Sequence, residues 1–433
     1  MKQDTSSRRE FLKTSSAAVA GAVIAAPYIL SAAEKSDTIK VGLIGCGGRG
    51  SGAASQALMS DKYVVLTAMG DAFQDQLNTG YQSLKASKEF GDRVQVNPDH
   101  KFVGLDAYKQ VIESGVDVVL LATPPGFRPL HMKYAVENNK HVFAEKPIAT
   151  DAVGYRSFME SVKLAKQKNL AVGSGFCWRS HLAQRAAYEK VLAGEIGQVM
   201  SVYGTYNTSP PRTPIPRDPK WSDMEYVIRN WMQFSWLSGD HLVEQAVHNV
   251  DLMNWAFGNQ MPVKAIGHGG RQIRPEPLVG NNYDHFAVTY EWATGARGFI
   301  FCRQQTGCAN DNTETIFGTK GKAHIMLFKG DPYITDLNGE RTWKYAGPKP
   351  NMYQVEHDEL FASIRAGKPR NDGEWLANSS MMAIMGRMAA YTGQEVTWEQ
   401  AVASKESLVP ERITWDALPP AAPLPMPGRT AFA

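Results

Sequence analysis

The sequence contains few cysteines, and they are not arranged for metal binding. Only 4 of the 433 residues are cysteine. Their spacing matches no metal-ligand motif, so we predict no metal site. Cys302 and Cys308 are near enough in sequence to form a bridge, but so small a loop would add little to a chain of this size. We therefore expect two free, mostly buried thiols.

An excess of one charge sign and a long internal apolar run are also missing. The 46 Lys and Arg residues against 43 Asp and Glu residues give a formal net charge of +3, which gives no reason to expect nucleic acid or an anionic membrane as a partner. No internal stretch approaches about 18 uninterrupted apolar residues, so we expect no membrane anchor in the mature protein. Hydrophobic residues make up 43%, which is typical of globular proteins.

The first 33 residues are predicted to be an export leader rather than part of the fold. Residues 7–13 read SRREFLK, which has the form of a twin-arginine signal, and a mildly apolar run follows over residues 17–30. Small residues at 31–33 offer a cleavage site. The protein is therefore expected in the periplasm or otherwise outside the cytoplasm. The twin-arginine route carries folded proteins, often with their cofactor bound.

Strands and helices alternate over residues 34–175. Short apolar strands are predicted at 38–44, 63–69, 116–122, 141–144 and 170–174, with helix-compatible segments between them. This alternation predicts an α/β domain with a right-handed, doubly wound parallel sheet.

A different pattern covers residues 176–418. A Pro- and Trp-rich stretch at 208–236 is followed by a predicted helix, Asp240–Phe257. Apolar runs with Gly and Asn turns then predict mostly antiparallel strands at 263–273, 285–292, 298–304 and 323–328. Two helices close this α+β domain, at 353–366 and 376–391, and a Pro-rich arm is predicted at 419–433.

A glycine-rich loop follows the first predicted strand and precedes a helix. Its six residues, 45–50, read GCGGRG: Gly45 allows a tight turn, Gly47 and Gly48 allow close approach of a pyrophosphate, and Gly50 permits helix–strand packing. Arg49 belongs to the same loop. Asp71 stands 21 residues beyond Gly50, at the end of the second strand, where a carboxylate accepts hydrogen bonds from ribose and repels a 2′-phosphate. The pattern predicts an NAD site; a plain Gly-rich loop with a surface Asp is the alternative.

Two further strands are followed by residues that are suited to binding or catalysis. Thr123, Pro124 and Pro125 follow one strand, and Glu145, Lys146 and Pro147 follow the next. Ligands bind at the carboxyl edge of such sheets. There a lysine can hold a substrate hydroxyl and favour its alkoxide character. The alternative for Lys146 is an ordinary surface cation.

The helix predicted at Asp240–Phe257 carries an acid and a base on one face. Glu244 and His248 are four residues apart, and Asp251 and Trp255 extend that face. Histidine is the side chain best suited to proton transfer near neutral pH. Spacing alone leaves two possibilities, a face directed to solvent or one directed into a cleft.

These motifs together resemble the glucose–fructose oxidoreductase / inositol dehydrogenase (Gfo/Idh/MocA) family over nearly the whole mature chain. The resemblance rests on the glycine loop, on 122–125 (ATPP), 140–147 (KHVFAEKP), 247–252 (VHNVDL) and 317–321 (FGTKG). It implies catalytic roles for Lys146 and His248, a place for Glu145 beside nicotinamide and a cis peptide at Pro147. It further implies an open sheet that often builds the oligomer interface, and hence a homodimer or homotetramer.

Two departures from the family pattern affect the substrate site. Glu244 stands where the family often has Asp, and the signature after the sixth strand reads FCWRSH at 176–181. We predict Arg179, Tyr206 and Trp231 as substrate contacts beside Lys146, Glu244 and His248. The aromatic stretch at 208–236 suits stacking on a sugar ring, but could equally be a subunit clasp.

The function predicted from these residues is NAD-dependent hydride transfer at a CH–OH group of a sugar or polyol. In this hypothesis His248 moves the hydroxyl proton, Lys146 polarises its oxygen, and Glu244 orients the substrate or His248. A redox-neutral glycoside hydrolase or epimerase that works through a keto-sugar is the alternative, because no nicotinamide pool exists outside the cytoplasm. A third possibility is an NAD-bound sugar-binding protein without catalysis.

Overall fold

The structure is a computed structural model that describes residues 38–273, 280–420 and 423–433. The predicted export leader lies outside the described residues. Thr38–Ala433 form one compact unit, so the domain boundaries at 175 and 418 stay predictions.

The first part of the chain forms a parallel sheet of six strands, which confirms the prediction of a doubly wound fold. The strand order is β3-β2-β1-β4-β5-β6. In β4, Val118 and Leu120 pack on one face of the sheet and Val119 and Leu121 on the other. Burial on both faces explains why such strands are apolar throughout. The strands are β1 (Ile39–Ile44), β2 (Val64–Asp71), β3 (Lys101–Val103), β4 (Val118–Leu121), β5 (His141–Ala144) and β6 (Val172–Ser174).

Helices connect these strands, with the sequence order expected of βαβ units. Short β3 was not predicted, because three residues carry no readable pattern. The helices are α1 (Gly48–Ser60), α2 (Gln74–Lys85), α3 (Ala107–Glu113), α4 (Arg128–Glu137) and α5 (Ala152–Gln167).

The second sheet has nine strands in the order β14-β13-β12-β11-β7-β10-β9-β8-β15. It is mostly antiparallel, as predicted, but β7 and β10 are parallel neighbours. β11 was not recognised as a strand, although it lies beside β7 near the middle of the sheet. The strands are β7 (Val199–Thr208), β8 (Lys264–Gly270), β9 (His285–Glu291), β10 (Arg297–Gln304), β11 (Thr313–Gly318), β12 (Gly321–Met326), β13 (Tyr333–Asp336), β14 (Arg341–Lys344) and β15 (Val396–Thr397).

One face of this sheet is covered by helices and the other is open. Alternate residues of β9 are buried, and the outward positions of neighbouring strands carry exposed apolar side chains, among them Ile266, Tyr203 and Phe301. The helices of this part are α6 (Leu182–Leu192), α7 (Asp223–Arg229), α8 (Ser235–Ser238), α9 (His241–Glu244), α10 (Val247–Ala256), α11 (Met352–Arg365), α12 (Gly373–Thr392) and α13 (Trp398–Ala403).

The predicted continuous helix Asp240–Phe257 is wrong. It is divided into α9 and α10, with a break at Gln245 and Ala246. Asp240, which precedes α9, has φ 76° and ψ 168°, a region that is almost confined to glycine. Both sides of α10 are buried, so the polar face does not point to solvent.

The predicted C-terminal arm is hydrogen-bonded to the rest of the chain. In the predicted arm, Gly428 N–H donates to the Thr392 carbonyl at 2.8 Å, and Tyr283 Oη donates to the Pro425 carbonyl at 2.7 Å.

All four cysteines are free, but Cys308 is exposed rather than buried. Within the described ranges, no helix is long and apolar enough to cross a membrane.

Candidate active site

The glycine loop joins β1 to α1 and lines a cavity with about 1060 Å³ of empty space. Gly45 has φ +94°, and a Cβ there would lie 2.8 Å from the Ala122 backbone. A Cβ at Gly50 would lie 1.8 Å from the Gly45 carbonyl oxygen. At Gly48, a Cβ would have no described atom within 4 Å. Two glycines are therefore required by packing, and Gly47 and Gly48 leave their backbone open to the cavity.

Asp71 ends β2 at the rim of the same cavity. One carboxylate oxygen accepts the Cys46 N–H at 2.7 Å, and the other accepts the Phe73 N–H at 2.9 Å. Burial raises the pKa of Asp71, and the two backbone N–H groups oppose that rise. Each oxygen keeps a second lone pair, so the carboxylate can still accept a ribose hydroxyl.

The cavity fits the dinucleotide predicted from the sequence. It lies at the N-terminal end of α1, where free N–H groups favour a phosphate. Thr123 and Pro124 line it together with Gly47, Arg49 and Asp71, while Pro125 is buried nearby. Trp231 also lines this cavity. The substrate contact predicted for Trp231 stays a prediction, and the structure places this side chain in the same cavity as the glycine loop.

Glu145, at the end of β5, forms an ion pair with the glycine loop. Its carboxylate lies 3.1 Å from Arg49 Nε. A Cβ at Gly175 would lie 2.7 Å from the Glu145 side chain, so glycine at that position leaves room for the carboxylate. The pair links the segment after β1 to the loop after β5. Between these two strands lies the point at which the strand order of the sheet reverses, between β1 and β4.

Lys146 and Glu244 meet although they are 98 residues apart in sequence. The Lys146 ammonium donates to the Glu244 carbonyl at 2.6 Å and lies 3.2 Å from its carboxylate. Both side chains are largely buried, at 14% and 13% exposure. The Lys146–Pro147 peptide is cis, as the family resemblance implied. Lys146 is therefore no ordinary surface cation.

His248 begins the first turn of α10 close to the same lysine. Burial lowers the pKa of His248 well below its ordinary value, and the Lys146 charge lowers it further. The imidazole is therefore neutral at neutral pH. Tyr206 is buried, and burial and then the Glu244 carboxylate raise the pKa of its phenol. The structure thus brings together Lys146, Glu244, His248 and Tyr206.

Arg179 does not join this group. Its guanidinium binds the buried Asp251 carboxylate in a bidentate arrangement, at 2.8–3.0 Å. It lies over the Trp375 ring, 4.2 Å from the centroid, and 5.2 Å from that of Trp255. In the structure the Nε and Nη2 groups of Arg179 are engaged by Asp251, and a substrate contact through Arg179 stays a prediction.

Arg128 is a structural residue of the site that the sequence did not reveal. Its buried guanidinium donates to the Pro147 and Thr123 carbonyls, so it joins the loops that follow β4 and β5. Burial lowers the pKa of Arg128 to about 10, and the Glu145 and Glu244 charges oppose the shift. An arginine at the start of a helix gives no signal of such a role.

Comparison with known proteins agrees with this architecture. Residues 39–176 match the family model described as "Oxidoreductase family, NAD-binding Rossmann fold", and residues 184–324 match the GFO/IDH/MocA C-terminal domain. Together the two models cover more than half of the chain. Among the described residues, no group of three or more His, Cys, Asp or Glu side chains is placed to hold a metal ion.

Curated relatives are distant. Myo-inositol 2-dehydrogenase of Thermotoga maritima is 22% identical over 76% of this chain and 90% of its own length. 2,7-anhydro-N-acetylneuraminate hydratase of Escherichia coli is 26% identical over 49% of this chain. The matched part spans only 52% of the length of that relative. The match spans 62% of scyllo-inositol 2-dehydrogenase (NAD(+)) of Bacillus subtilis, at 25% identity.

Solved structures share the fold. Aldose-aldose oxidoreductase from Caulobacter crescentus has a TM-score of 0.64 at 18% identity, over 83% of this chain and all of that chain. An oxidoreductase from Agrobacterium radiobacter, solved with NAD+, has a TM-score of 0.62 at 15% identity, over 83% of this chain and 98% of that chain. With its two matching family models and its NAD-binding Rossmann domain, the chain belongs to the Gfo/Idh/MocA family of oxidoreductases.

Proposed function

We propose that the protein is an NAD-dependent oxidoreductase that acts on a CH–OH group of a sugar or polyol. The observation that carries this proposal is the largely buried ion pair of Lys146 with Glu244, at the carboxyl edge of the sheet and beside a neutral His248. The names of the inositol dehydrogenase relatives support the substrate class.

The site residues divide the work on one substrate oxygen. A bound NAD would supply the acceptor for the hydride of the carbinol C–H. The Lys146 ammonium stabilises negative charge that develops on the substrate oxygen. His248 accepts the hydroxyl proton, since burial and Lys146 keep its imidazole in the neutral form. Glu244 holds Lys146 in place, and Tyr206 is proposed to contact the substrate.

The dinucleotide is proposed to lie along the glycine loop. Gly47, Gly48 and the first turn of α1 would face its pyrophosphate, and Asp71 its adenosine ribose. Glu145, which pairs with Arg49, is proposed to lie on the nicotinamide side. Thr123 and Pro124, which line the same cavity, are proposed to contact the dinucleotide as well.

A redox-neutral reaction is the second candidate. A hydratase is among the relatives, and its name describes a reaction without net oxidation. The same site could oxidise a hydroxyl to a ketone, allow elimination or epimerisation at the neighbouring carbon, and restore the hydride. This cycle needs no external nicotinamide pool.

Location and assembly are part of the proposal. We propose export by the twin-arginine route on the strength of the SRREFLK string at residues 7–13. The exposed apolar side chains on the open sheet face, including Ile266, Tyr203 and Phe301, support a homo-oligomer built through that face.

Product analysis tests the proposal. Purified protein is incubated with a panel of inositols, aldoses and methyl glycosides, with and without added NAD, and the products are identified by mass spectrometry. A ketone formed with stoichiometric reduced nicotinamide supports the dehydrogenase. A cleaved, hydrated or epimerised product without net reduction supports the second candidate. If the protein binds sugars but converts none, the enzymatic proposal fails and the non-catalytic alternative stands.

A further inference from the structure

The stretch between β7 and α8 leaves the second sheet and reaches the nucleotide cavity. Arg212, Ile215, Ile228, Arg229 and Trp231 all line that cavity, together with the glycine loop. We call residues 209–231 the crossing segment. Five of its residues therefore share a cavity with the predicted nucleotide site.

The crossing segment is fastened to the Rossmann part of the chain. The Arg229 guanidinium lies 3.1 Å from the Asp75 carboxylate, on α2, and its centre lies 3.9 Å from the centroid of the Phe73 ring. The segment is also braced internally, because Asn230 accepts the Ile215 N–H at 2.7 Å and donates to the Ile215 carbonyl at 3.2 Å. Arg212 is therefore carried on an anchored segment.

Three arginines line the cavity, and two of them are already paired. Arg49 pairs with Glu145, and Arg229 pairs with Asp75 and Glu225. Arg212 is exposed and has no hydrogen-bond or ion-pair partner among the described residues. A pyrophosphate brings two negative charges, while the glycine loop offers it N–H groups but no uncommitted cation. Arginine binds phosphate oxygens through a planar fork of donors.

We propose that Arg212, which lines the same cavity as the glycine loop, binds the pyrophosphate of NAD and so slows dissociation of the cofactor. The inference rests on the NAD site and not on hydride transfer. A slow release would suit a protein that is exported with its cofactor in place.

The test compares Arg212→Ala with Arg217→Ala. Arg217 lies in the same segment, but its guanidinium pairs with Asp223 at 2.6 Å and it does not line the cavity. NAD-loaded protein is diluted into excess ADP-ribose, and NAD release is followed by rapid gel filtration. Loss of one charge-assisted contact should speed release about 10- to 100-fold in Arg212→Ala, while Arg217→Ala should behave as wild type. Arg212→Lys should recover part of the loss.

Ligand fragments locate the contact. In apo-protein, the affinity for ADP-ribose should fall in Arg212→Ala, while the affinity for adenosine should stay unchanged. Equal NAD release rates in wild type and Arg212→Ala would overturn the proposal. A matching loss of adenosine affinity would place Arg212 at the base or ribose instead, and a loss confined to NADP would place it at the 2′ position. These measurements use no substrate, so a failure of the proposed reaction leaves them valid.

Discussion

At the scale of single residues, the charge of Lys146 governs its neighbours. Its ammonium is held by both the carbonyl and the carboxylate of Glu244, and it lowers the pKa of His248. A neutral imidazole beside a cation can take a proton only as negative charge develops on the shared substrate oxygen. The pair is therefore suited to act on one atom.

The pKa of His248 is the first testable quantity. Burial and Lys146 both disfavour the imidazolium, so the folded pKa lies below 6.5 and the base form persists into the acid range. Lys146→Met removes one of the two causes and should raise that pKa. The imidazole resonances of His248 can be followed by NMR against pH. As a control, Lys133→Met removes an exposed lysine on α4 and should change nothing; identical titrations in both variants would refute the coupling.

At the scale of elements, local patterns were predictable and long-range contacts were not. The strand–loop–helix unit of β1 and α1 follows from a run of adjacent residues, as does β5, which ends two residues before Lys146. The break between α9 and α10 does not. The turn at Asp240, which precedes α9, is also held by distant partners, because its buried carboxylate accepts the Tyr283 N–H at 2.7 Å and the Tyr391 hydroxyl at 2.5 Å. Neither partner is near in sequence.

The Arg179–Asp251 pair joins the residues that follow β6 to α10, and we expect its role to be structural. Ser379 on α12 also donates to the Asp251 carboxylate, at 2.7 Å. Removing one partner of a buried ion pair leaves an uncompensated charge. Asp251→Ala should therefore lower the free energy of unfolding by about 3–5 kcal/mol, measured by urea denaturation. Glu137→Ala, at an exposed pair, is the control. A fully stable Asp251→Ala protein would favour a substrate role for Arg179.

At the scale of the whole molecule, buried neutral histidines lower the free energy of unfolding in acid. Burial lowers the pKa of His131 and of His357 to about 3, and that of His248 also falls. Below about 6.5 the unfolded chain binds protons at these positions and the folded chain does not. The free energy of unfolding should therefore fall as pH drops from there toward about 3.

The slope of the free energy of unfolding against pH is the quantity to measure. Each such histidine contributes about 1.4 kcal/mol per pH unit within that window. Urea denaturation across the acid range should show a smaller slope in His357→Gln than in wild type. His268→Gln, at an exposed position, should leave the slope unchanged. An unaltered slope in His357→Gln would mean that this histidine is protonated in the folded protein.

The overall architecture could be predicted because apolar strands alternate with helix-compatible segments many times along the chain. The course of residues 208–236 was not, since an irregular Pro- and Trp-rich stretch carries no periodicity. Only the fold shows that Trp231 and Arg212 face the nucleotide cavity. Likewise β11, near the middle of the second sheet, was missed, although the FGTKG string that overlaps its end was recognised.

The most direct test of the central claim is the rate at which bound NAD is reduced in a single turnover, with a substrate identified by the product panel. General acid–base assistance is typically worth about 10²–10⁴-fold. His248→Ala and Lys146→Met should each slow the reaction by about that range while NAD stays bound. Because both residues act on one substrate oxygen, the double variant should be about as slow as the slower single one. Wild-type rates in both single variants would contradict the account, and a fully additive loss would contradict the shared role of the two residues.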